Sequence, residues 1–211
     1  MEVPLFMEAV MANLTQQLLS QLQGAPMQQM SSQLGLGEQQ TSQAVSAALP
    51  LLMGALGKNA SQPQGAQALL GALQKDHAGG GNLAGLLGSV LGGGGGRQTD
   101  GAGILGHILG GNQQRAETGL AQVSGLDGNK AGQLMKMLAP LVMAFLANQT
   151  RQGSASPQAL GALLGQEEQQ IRQEGGGAAG LLGAVLDQDG DGKLGLGDVL
   201  KIGGSLFGGK R

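Results

Sequence analysis

Apolar residues recur with the period of an α-helix along much of the chain, and the same pattern occurs twice. Val45, Ala48, Leu49, Leu52, Met53 and Leu56 fall at i, i+3, i+4, i+7, i+8 and i+11, one stripe of a helix. Met135, Leu138, Val142, Phe145 and Leu146 form a second stripe of the same kind. Both predict long helices with the stripe in the core, and the methionines read as core residues. Each stripe contains a proline, Pro50 or Pro140, whose missing N–H and bulky ring predict a shared bend. Gly37-Glu38-Gln39-Gln40 and Asp127-Gly128-Asn129-Lys130 supply polar helix starts. The polar stretches 59–65 and 148–156 read as turns into a following helix, so antiparallel helical hairpins are expected.

The two stripes belong to an internal repeat with an offset of 90 residues. Gly35-Leu36 recurs as Gly125-Leu126, Pro50-Leu51 as Pro140-Leu141, Met53 as Met143, and Leu56 as Leu146. Leu70-Gly71-Ala72-Leu73 recurs, without a gap, as Leu160-Gly161-Ala162-Leu163. Weaker matches pair Met30 with Leu120 and Leu18-Leu19 with Ile108-Leu109, giving each unit two helices before the Gly-Leu junction and two after it. The expected fold is all-α: two related helical modules, short glycine-rich helices and a C-terminal EF-hand-like helix-loop-helix. The expected boundaries are a first module over 1–78, a Gly-rich linker with a short helix over 79–100, a second module over 101–172 and a calcium-binding hairpin over 173–211.

Glycine runs flank several short Leu-rich pieces, at 82–91, 103–109 and 179–186. Glycine costs about 1 kcal/mol relative to alanine inside a helix, so such pieces must gain stability by docking. Close packing on the core, joined by flexible glycine linkers, is one reading. Close backbone approach of Gly-xxx-Gly type, supporting membrane association or self-assembly, is the alternative. Each piece is far shorter than the ~20 residues needed to span a bilayer, which favours the first.

Composition narrows the chemistry. The chain has 211 residues, 42 Gly, three Phe and no Trp, Tyr or Cys. Its core must therefore be built from aliphatic residues and Met, and disulfides, thiolate metal sites and thiol nucleophiles are excluded. Only two histidines, His77 and His107, are available to a zinc or triad enzyme. Asp76-His77 reads as a polar helix end, His107 as a partly buried packing residue, and Glu167 and Glu168 as a solvated face. No nucleophile–base or acid–base pair is evident, so no enzyme is expected. A net charge of −2 argues against a nucleic-acid partner. Met1 to Gln23 has no basic start and cleavage pattern of a signal peptide, which leads to a cytoplasmic expectation, with export by another route as the alternative.

One segment specifies a site. Asp187, Asp189 and Asp191 hold the first, third and fifth positions of an EF-hand-type loop, placing carboxylates at alternate residues as the chain curls around a cation. Gly192 sits at the sixth position, where the turn is sharp. Lys193 would contribute its backbone carbonyl, Gly195 would leave its vertex to water, and Asp198 closes the loop where a bidentate Glu is usual. Oxygen ligands without nitrogen or sulfur point to Ca²⁺ first and Mg²⁺ second. The shorter closing residue implies a weak site, with Kd on the order of 10⁻⁴–10⁻³ M. The expected function is a non-enzymatic protein that binds a divalent cation, in a structural or protein-interaction role.

The stretches 34–56 and 124–146, each a Gly-Leu junction followed by a helix with a Leu/Ala-Pro-Leu core, resemble the bacterial YidB-like family, domain of unknown function 937. That resemblance implies an all-α fold and no assigned activity. The loop Asp187 to Asp198 resembles the EF-hand and dockerin-type calcium loops, the latter also closed by Asp. It implies ligation by Asp187, Asp189, Asp191, the Lys193 carbonyl and Asp198. Dockerins carry two such loops and this chain has one, so a cellulosome-like docking role is not expected.

Overall fold

The computed structural model describes residues 14–76, 88, 100–152, 156–174 and 180. The described residues are helical apart from short turns, as the periodicity predicts. Their order is α1 (Leu14–Leu22), α2 (Ala25–Leu34), α3 (Glu38–Ala60), α4 (Pro63–Asp76), α5 (Gly101–Leu109), a 3-10 turn (Gly110–Asn112), α6 (Gln113–Ser124), α7 (Gly128–Gln152) and α8 (Pro157–Glu174).

The helix ends follow local chemistry. Gly35 and Gly125 terminate α2 and α6 in the left-handed conformation, at φ 60° and 67°. After each, the next amide reaches back across the end of the helix, Leu36 N–H to the Ser31 carbonyl at 2.9 Å and Leu126 N–H to the Ala121 carbonyl at 3.1 Å. This is the glycine-terminated helix stop, in which a residue without Cβ avoids the left-handed penalty. Asp127 Oδ1 accepts from Lys130 N–H at 2.9 Å and caps α7. Gly37, which occupies the same place before α3, has extended φ and ψ of −67° and 147° and no side chain to do so.

Both stripes are buried: Val45, Ala48, Leu49, Leu52 and Met53 at 0 % exposure, and Met135, Leu138, Val142 and Leu146 likewise. They are not the whole buried surface. Residues 51–57 of α3 and 138–147 of α7 are buried without interruption, so both helices run through the middle of the molecule with neighbours on every side. The core is one continuous cluster contributed by all eight helices. Neither proline interrupts its helix, which runs on to Ala60 or Gln152. What each removes is the donor for the carbonyl four residues earlier, Ser46 or Lys136. At the second of these, Gly101 at the start of α5 lies so close that a Cβ there would overlap the Lys136 carbonyl.

Three details depart from expectation. The stretch 148–152 continues α7 and is not a turn. The last helix begins four residues beyond the 90-residue offset, with Pro157 opening α8 as Pro63 opens α4. Burial follows the shifted frame: Ala66, Leu70 and Leu73 are buried in α4, and Leu160, Leu164 and Glu167 in α8, whereas Leu163 is 39 % exposed. The gapless match of Leu70–Leu73 with Leu160–Leu163 is therefore one helical turn out of step with the packing. Finally, α8 does not form a hairpin with α7. Its main partners are α3 and then α4, both from the first half of the chain.

The α3–α8 crossing is the most extensive between helices, and it is close. A Cβ on Gly57 would stand 2.9 Å from the Leu164 carbonyl oxygen and 3.2 Å from Glu168 Cβ, and one on Gly161 3.0 Å from the Ala60 carbonyl oxygen. Backbone on one helix thus lies against glycine on the other, in both directions.

Three substitutions test this geometry by urea unfolding. Gly57→Ala should lose about 1–3 kcal/mol, because the methyl meets rigid backbone and overpacking outweighs the gain in helix propensity. Gly71→Ala, in α4 with nothing within 4 Å of the added methyl, should instead gain up to about 1 kcal/mol. Gly37→Asp, supplying to α3 the cap that Asp127 gives α7, should raise the urea midpoint by the equivalent of a few tenths of a kcal/mol, at about the same m-value.

Candidate functional site

The loop residues Asp187, Asp189, Asp191, Lys193 and Asp198, and the Leu-rich pieces 82–91 and 179–186 except Gly88 and Gly180, lie outside the described residues. So does His77, while Asp76 is the last residue of α4. Among the described residues, no three His, Asp or Glu side chains converge to hold a metal ion.

A cleft of about 770 Å³ opens between α3, α4 and α5. Leu56, Leu69, Ile104 and Met143 form apolar parts of its wall, and Lys58, Asn59, Asp100 and His107 are its polar residues of most chemical interest. Two of those four hold α5. Asp100 Oδ1 accepts from Gly103 N–H at 2.9 Å and caps its start. Asn59 Nδ2 donates to the Ile108 carbonyl at 2.8 Å and lies 3.4 Å from the His107 carbonyl, supplying a donor to the end of α5 where carbonyls lack an intrahelical partner. His107 itself is exposed on the last turn of α5, which corrects its reading as a partly buried packing residue.

The buried ionisable group is Glu167, which sequence reading placed on a solvated face. It is 4 % exposed. Its carboxylate accepts from the Leu14 N–H at 2.9 Å, from the Thr15 N–H at 3.0 Å, and from the Thr15 hydroxyl. Glu167 therefore caps α1 from the opposite end of the chain. A carboxylate is well suited to this place, because the first amides of a helix have no intrahelical acceptor and carry partial positive charge. Glu168, its neighbour in sequence, is half-buried against Gly57. The signal that could have exposed Glu167 is its spacing: it continues Leu160 and Leu164 at i+7, on the stripe that buries Ile171.

Replacing Glu167 by Ala should cost about 1–3 kcal/mol in chemical denaturation, the penalty for buried donors left without an acceptor. Glu167→Leu, which copies buried Leu73 at the corresponding place in α4, should not restore that stability, and amide exchange should speed up in Leu14–Leu22 in both variants.

Membrane crossing finds little support in this arrangement. Of the described helices, only the span Gly128–Arg151 is long and apolar enough to cross a bilayer, and 78 % of its most apolar stretch is buried among its neighbours.

No curated protein and no solved structure matches the chain. A family model described as a bacterial protein of unknown function, DUF937, matches residues 16–149, from the first turn of α1 to the last turn of α7. That span takes in both Gly-Leu junctions and both proline-containing helices, and it covers more than half of the chain, which belongs to the DUF937 family of bacterial proteins.

Proposed function

We propose that this protein is a non-enzymatic helical scaffold that binds Ca²⁺ through the single loop Asp187 to Asp198. The observation that carries the reading is the order of residues in that loop: Asp at the first, third and fifth positions, Gly at the sixth and Asp at the twelfth. Four carboxylates against one Lys in twelve positions give a local charge of −3 in a chain whose total is −2. Carboxylates drawn together in this way repel one another unless a cation joins them. A solitary loop has no paired loop to couple with, so its role is to fix local structure after α8. Mg²⁺ is the second candidate ion, and a protein partner or a second copy is the expected kind of macromolecular contact.

The scaffold itself is proposed to be a tandem duplication. Four observations support this: the glycine stops at Gly35 and Gly125, the helix starts at Glu38 and Gly128, the prolines at Pro50 and Pro140, and the burial of Met30 and Leu18 alongside Leu120 and Ile108. The one-turn displacement of α8 reads as a later insertion between α7 and α8.

Calorimetric titration of the full chain tests the cation reading. Ca²⁺ should bind with Kd on the order of 10⁻⁴–10⁻³ M, and Asp189→Ala should abolish the heat. If neither Ca²⁺ nor Mg²⁺ binds below about 10 mM, the proposal is wrong.

A further inference from the structure

We draw no further inference here: the strongest candidate, the cleft of about 770 Å³ between α3, α4 and α5, has apolar walls formed largely by residues already buried in the core and polar side chains, Asn59 and Asp100, engaged in holding α5, and nothing in the structure shows what covers it.

Discussion

The structure depends on how closely α3 and α8 approach. Gly57 and Gly161 let each helix rest against backbone of the other, Leu164 carbonyl on one side and Ala60 carbonyl on the other. Close approach multiplies dispersion contacts without large side chains, the resource this composition lacks: three Phe, no Trp and no Tyr. The same contact brings Glu167 to α1 and joins the first and last of the described helices. Glycine weakens a helix in isolation, so the approach is favourable only because the tertiary contact is made along with it.

Around that crossing, α3 and α7 act as the two central helices. They tolerate an interior proline because each has more than twenty residues of helix and packed neighbours to hold it in place. At the second proline, the Lys136 carbonyl lies against Gly101 at the start of α5. Polar side chains elsewhere satisfy backbone groups. Thr41 returns its hydroxyl to the Gly37 carbonyl at 3.0 Å, and Asn59 closes the end of α5. In the cleft between α3, α4 and α5, two of the polar residues, Asn59 and Asp100, hold the two ends of α5.

In the two halves, matches at the 90-residue offset and the packing of the matched residues agree at some positions and part at others. Five of the matched positions, from Leu18 and Met30 to Leu56 in the first half and from Ile108 and Leu120 to Leu146 in the second, keep both pattern and burial. The Leu-Gly-Ala-Leu match does not, because a helix displaced by one turn presents nearly the same face. A local identity in an apolar, glycine-rich helix therefore survives in the wrong register. Glu167 shows the same divergence from the other side: it stands where α4 has Leu73, and its carboxylate is tolerated there because α1 supplies the donors.

What the sequence determined by itself was local. Periodicity located the α3 and α7 stripes, Gly35 and Gly125 set the helix stops, and Asp127 set a start, because each of these is decided by residues within a turn or two of one another. Only the tertiary structure decided that α8 leaves α7 for α3, that Glu167 is buried and His107 exposed, and that residues 51–57 and 138–147 of the proline helices are buried without interruption. Those outcomes depend on contacts between residues up to 153 positions apart, such as Leu14 with Glu167. A pattern that repeats every three to four residues can say which face is apolar. It cannot say which other helix will cover it, or that a charged residue on that face will find its donors at the far end of the chain.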